Sequence, residues 1–192
     1  MKADYQKITQ ALCYLGSKCR RCTMDKRHAL KVMYLADRYH LRKYGSTISA
    51  DSYLAMEMGP VASATRKTIE GRLSGDPAAY ALMYISPGKD NFQSKINTCL
   101  DELSKTDIEA LDAAYDTYLD KGPENIIKFT HRFPEWQKHQ CEIDGGKKCV
   151  RMSLVDFFEP SLFPNDEYCP ADDELVETNK EFFLETPEYL RS

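Results

Sequence analysis

No apolar run in this chain approaches the roughly 20 residues that a membrane-spanning helix needs. The opening MKADYQKITQ is polar where an export signal would carry an uninterrupted apolar stretch. Together these absences predict a cytoplasmic protein with no membrane partner. The chain also lacks H-E-x-x-H, G-x-S-x-G and any phosphate-cradling glycine loop, and its histidines, His28, His40, His131 and His139, have no metal-pair spacing. The reading is of a protein that is not an enzyme, with no catalytic residues and no cofactor.

Cysteine itself is plentiful, but a pattern of paired cysteines is missing. The seven residues (Cys13, Cys19, Cys22, Cys99, Cys141, Cys149 and Cys169) are odd in number and irregularly spaced, which predicts reduced thiols. Cys19 and Cys22 form one C-x-x-C, a zinc half-site that Cys13, Cys141, Cys149 and His139 could complete in space. There is no second C-x-x-C, and a helix precedes this one where a redox motif wants a strand, so no metal is assigned.

What is present suits one folded domain. The 192 residues are 42% hydrophobic and 29% charged, far from the composition of disordered chains. Net charge is only −4, yet residues 1–72 hold 14 Lys and Arg against 6 Asp and Glu, a balance of +8, and the remainder therefore carries −12. Such bipolarity fits a basic face for nucleic acid, a basic face for an acidic protein, or two halves that attract each other on folding.

Spacing in Tyr5, Ile8, Leu12 and Leu15 predicts a first helix with Gly16 as its stop. A longer helix is predicted over Met24–Tyr44, capped by Thr23 or Asp25 and stopped by Gly45. Its apolar arc, which includes Leu30, Met33, Leu41 and Tyr44, makes it central to the core. Arg27, Lys31, Arg38 and Arg42 fall together on the opposite side as a basic, solvated stripe. Asp37 sits inside the apolar arc, so it must meet a Tyr, His, Arg or backbone amides.

Further on, an extended stretch around Tyr53–Glu57 leads to Gly59 and Pro60, with Pro60 opening a helix that ends near Leu73. YALMYISPGKDNFQSKIN predicts a β-hairpin, the one clear β signal. Thr106 with Glu109 has the spacing of a capping box for a helix that Gly122 and Pro123 interrupt. A short apolar helix, SLVDFFEP, then a loop with Pro160, Pro164 and Pro170, then a helix opened by Asp172 and Asp173 and docked by Leu175, Val176, Phe182 and Phe183 complete the chain. The fold class is predominantly helical α+β, a single domain with a small β-hairpin or sheet, faintly winged-helix-like in element order. A helical domain over 1–140 and a C-terminal extension over 141–192 packed on it are expected.

Three stretches carry a resemblance: KVMYLADRYHLRKYG from Lys31, SADSYLAMEMGPVAS from Ser49, and LSKTDIEALDAAYDTY from Leu103 with FTHRFPEWQK from Phe129. Together they resemble the Panacea domain of SocA-like antitoxins and phage-associated proteins, in which a YLAD helix, a Y-x-A-x-x-x-G-P-V turn and a T-H-x-x-x-x-W element follow in this order. The resemblance implies an antitoxin that neutralises a cognate toxin by direct protein binding, or that presents it to a ClpXP-type protease as an adaptor. A DNA-binding regulator using the basic N-terminal half is the alternative. Asp37, Tyr53, Gly59, Pro60, His131 and Trp136, polar, aromatic or backbone-special in ordinary surroundings, are expected to converge on one site that binds the partner or frames the fold.

Overall fold

The computed structural model describes residues 2–95, 100–160 and 172–187. The tail from residue 188, Pro164 and Pro170 of the proline loop, and Ile96 and Asn97 of the hairpin stretch lie outside them. Helix α1 (Tyr5–Ser17) starts where the Asp4 carboxylate accepts from the amides of Gln6 and Lys7. A 3-10 turn (Arg20–Cys22) and strand β1 (Thr23–Asp25) lead into helix α2 (Lys26–Tyr44), capped by Asp25 and closed by Gly45 at φ 76. The end of α2 falls where the sequence places it, while its start lies two residues later than predicted because Met24 and Asp25 pair with Phe92 and Asn91 as part of β1.

After α2 come β2 (Tyr53–Ala55), β3 (Val61–Ala62), α3 (Ser63–Ile69), α4 (Gly75–Tyr84), β4 (Ile85–Ser86) and β5 (Asn91–Ser94). The hairpin exists, with Ile85 opposite Ser94, but the run before it is helical through Tyr84. Ala78, Ala79, Ala81, Leu82 and Met83 are strong helix formers, and they outweigh the β-prone tyrosines. The interposed α4 interrupts the winged-helix-like order. Pro60 does not open a helix: it precedes β3, and α3 begins at Ser63 with its free amides bound by Asp51 rather than by a cap residue.

Helix α5 (Lys105–Thr130) bends at Gly122, φ 74, and Pro123, as the sequence predicts. Its cap is not the Thr106–Glu109 pair. Ser104 and Asp107 close the reciprocal box, while Glu109 accepts from Tyr39, Lys43 and Tyr44 of α2. Helices α6 (Pro134–Gln137) and α7 (Gln140–Asp144), strand β6 (Val150–Arg151), a 3-10 turn (Leu154–Phe158) and α8 (Asp173–Glu185) follow. Among the described residues two small three-stranded antiparallel sheets result, in orders β1-β5-β4 and β3-β2-β6; the hairpin lies in the first of them. The extended stretch around Tyr53–Glu57 holds the central strand β2 of the second sheet, whereas its partners β3 and β6, two residues each, are too short to carry an alternation.

Helix α2 is the axis of the molecule, packed by α5 along its length and also by α3, α8 and the Leu154–Phe158 turn. Nearly every residue from Ala29 to Arg42 is buried, including its charged ones. Helix α1 packs on α3, α4 and β5. On α8, Val176 and Phe183 dock, whereas Leu175 and Phe182 face solvent. The docked pair lies seven residues apart on one helical face, and a single face is all that α8 presents to the body.

Candidate functional site

Charged residues of α2 are tied to segments far along the chain. Arg27 is the only member of the predicted basic stripe that is exposed; Lys31, Arg38 and Arg42 are 4%, 0% and 5% exposed. The solvated-stripe reading is therefore corrected. Segments that follow residue 58 cover the polar side of α2 and supply acceptors there. Arg42 donates to the carbonyls of Phe158 and Glu159 at 2.5 and 3.0 Å. Arg38 donates through Nε to Glu135 at 2.9 Å, lies 4.0 Å above the Phe133 ring, and shares Glu135 with the Tyr34 hydroxyl at 2.5 Å.

Asp37 is wholly buried and finds the partners its position demands. Its carboxylate accepts from the Ile48 amide at 2.8 Å, the Ser49 amide at 3.2 Å, the Ser49 hydroxyl and the Tyr53 hydroxyl at 2.7 Å. Burial raises its pKa to about 6 even so.

A second centre forms around the Gly59–Pro60 turn. Lys31 Nζ donates to the Pro60 carbonyl at 2.8 Å. Gly59, at φ 87, sits so close to Lys31, Thr130 and His131 that a Cβ there would lie 2.7 Å from the Lys31 nitrogen and 2.9 Å from the Thr130 hydroxyl. His131 stacks on Trp136 with ring centroids 3.6 Å apart, and the Trp136 indole donates to the Met56 carbonyl at 3.0 Å. The His131 Nε2 is buried without a hydrogen-bond partner among the described residues. Burial, then the Lys31 charge, push the His131 pKa down to about 4.

Gly59, Pro60, His131 and Trp136 thus come together, with Lys31 as the member that the sequence reading placed in solvent. Asp37 and Tyr53 do not join them. Six residues of α2 separate Asp37 from Lys31, a rise of about 9 Å, and the carboxylate spends its bonds on residues 48, 49 and 53. The single-site expectation becomes two centres bridged by Tyr34, whose ring lies edge-on to Tyr53 while its hydroxyl holds Glu135.

Lys31 is a buried amine whose acceptor, the Pro60 carbonyl, is neutral, with no carboxylate partner among the described residues, and burial lowers its pKa to about 7. A base depressed in the folded state keeps full stability above its unfolded value and loses it as pH falls toward the folded value. The Tm of Lys31→Met minus that of the unaltered protein is accordingly expected to widen as pH is lowered from 10 to 7, followed by circular dichroism. A difference constant with pH would show that the amine is well solvated.

Two adjoining hollows of about 380 and 810 Å³ flank this centre and share Arg27, Leu30, Met58 and Val61. Among the described residues, no group of three His, Cys, Asp or Glu stands close enough to hold a metal ion. Cys19 and Cys22 are free thiols, Cys19 lying 3.6 Å from the Tyr115 hydroxyl. No helix among the described residues is long and apolar enough to cross a membrane.

A helical α+β domain, with a long central helix tied by its own polar residues to a Gly-Pro turn and a His–Trp stack, is the class this geometry defines. The family described as "Antitoxin SocA-like, Panacea domain" matches residues 30–137, from the first turns of α2 to the end of α6. That is more than half of the chain, and the chain belongs to this family. No curated protein and no solved structure matches it.

Proposed function

We propose that this chain is an antitoxin that acts in the cytoplasm, without catalysis, by binding a cognate toxin directly. The family match over residues 30–137 carries this reading. Presentation of that toxin to a ClpXP-type protease is the finer form of the same idea. Residues 1–140 are taken as the neutralising domain and residues 141–192 as an extension seated on it, with Val176 and Phe183 buried. The DNA-binding alternative relied on one basic face, and it loses Lys31, Arg38 and Arg42 to the interior.

The test is to express the chain with each flanking gene product and score growth rescue and co-purification from the same cultures. Rescue with a stable complex is expected. Rescue that disappears in a strain without ClpXP would favour the adaptor form over simple occlusion. If no flanking product is toxic or bound, and the pure protein instead retards DNA in a salt-dependent manner, the antitoxin reading is wrong.

A further inference from the structure

The two hollows beside Lys31 form one furrow. They meet across Leu30, Met58 and Val61 and run from Pro123–Ile127 at one end to Gly146–Lys148 at the other. The floor is apolar, with Leu30, Val61, Ile126 and Ile143 on it, and Met58 stands 49% exposed at the junction. An apolar channel of this length, open to solvent at a large exposed methionine, suits a stretch of polypeptide more than a compact small molecule.

Charge around the furrow is one-sided. Six of its lining residues are Lys or Arg and three are Asp or Glu, in a chain whose net charge is −4. Several of these cations already have carboxylate partners: Lys26 and Arg66 share Glu70, and Lys147 pairs with Glu142. Lys148 and Lys31 have no carboxylate partner among the described residues, and the Arg27 side chain, 3.8 Å from the Asp25 carboxylate, is 70% exposed. Lys31 differs from the other two because it is 4% exposed, so its charge reaches the furrow from below rather than from the rim.

A buried cation without an anion is a cost to the fold, and an incoming carboxylate would relieve it in a desolvated setting where such a pair is strong. We propose that this furrow is the toxin-binding surface, and that it takes an apolar segment of the toxin whose acidic side chain pairs with Lys31 while its flanks meet Arg27 and Lys148. This rests on the antitoxin reading above. It also reassigns the basic contact: Arg27 and Lys31 face the partner, and Arg38 and Arg42 hold the scaffold.

The test uses the full chain and the flanking gene product that it neutralises, with affinity measured by calorimetry and rescue measured in vivo. Met58→Glu, at an exposed position, is expected to leave the far-ultraviolet circular dichroism and Tm unchanged and to weaken binding at least tenfold. Lys31→Met is expected to weaken binding similarly without lowering Tm at pH 7. Arg27→Glu with Lys148→Glu should be rescued in part by reversing acidic residues of the bound toxin segment. If the unaltered chain binds its toxin and both Met58→Glu and Lys31→Met bind within twofold of it, the furrow is not the surface, and the antitoxin reading stands. If the unaltered chain binds no flanking product, both proposals fall together.

Discussion

Glu135→Ala is expected to destabilise the protein by about 3–5 kcal/mol, because it takes the carboxylate away from a fully buried guanidinium, and the Glu159 carbonyl, an acceptor at 3.3 Å, carries no charge to balance it. Arg38 and Glu135 are both 0% exposed, and the Glu135 oxygen that receives Arg38 Nε also receives the Tyr34 hydroxyl. Domains of this size are stable by about 5–15 kcal/mol in all, so the change removes a large share. Urea denaturation followed by tryptophan fluorescence reads it directly, since Trp136 is the neighbouring residue. Arg38→Met combined with Glu135→Leu should recover much of the loss, as apolar replacement of a buried pair is often neutral or favourable. A midpoint for Glu135→Ala equal to that of the unaltered protein would mean that water reaches Arg38 in solution.

Asp37→Ala is the second large effect, with an expected loss of about 3 kcal/mol or more. The Ile48 and Ser49 amides and the Tyr53 hydroxyl all donate to this carboxylate, and each donor left buried and unpaired costs about 1–3 kcal/mol. The carboxyl also sets a pH dependence. Its pKa stands at about 6, above the ordinary value of 3.8, because burial penalises the charged form more than its hydrogen bonds favour it. An acid raised in the folded state contributes most below its unfolded value, and that contribution is lost as pH rises through the folded one. The stability advantage of the unaltered protein over Asp37→Asn should therefore shrink between pH 4 and about 6.5. An advantage that grows over this range would mean that the hydrogen bonds, not burial, dominate.

Much of this framework was legible in the sequence. Asp25 and Gly45 mark both ends of α2, and a carboxylate on its apolar arc required a hydroxyl or amide partner, which Tyr53, Ser49 and Ile48 supply. The burial of Arg38 and Arg42 was not. Their acceptors, Glu135 and the Phe158 carbonyl, lie 97 and 116 residues further along the chain, and periodicity identifies the faces of a helix without saying which of them later segments will cover. The same gap explains Lys31, whose neighbours Pro60 and His131 arrive from two separate turns. The Gly-Pro turn and the His–Trp pair were recognisable as unusual. That they pack on each other and not on Asp37 follows from the helical rise between residues 31 and 37, a length that composition alone does not weigh.

Four of the tethers of α2 divide the labour of positioning among distant parts of the chain. Lys31 locates the turn at Pro60, Asp37 the bend at residues 48 and 49, Arg38 the helix start at Glu135, and Arg42 the carbonyls at 158 and 159. The helix works as a key with four notches, each read by a separate tumbler. A change of length in a segment between tumblers, such as the exposed stretch 144–149 that walls one end of the furrow, leaves all four notches engaged. A lineage can thus recut that rim while the lock itself stays intact.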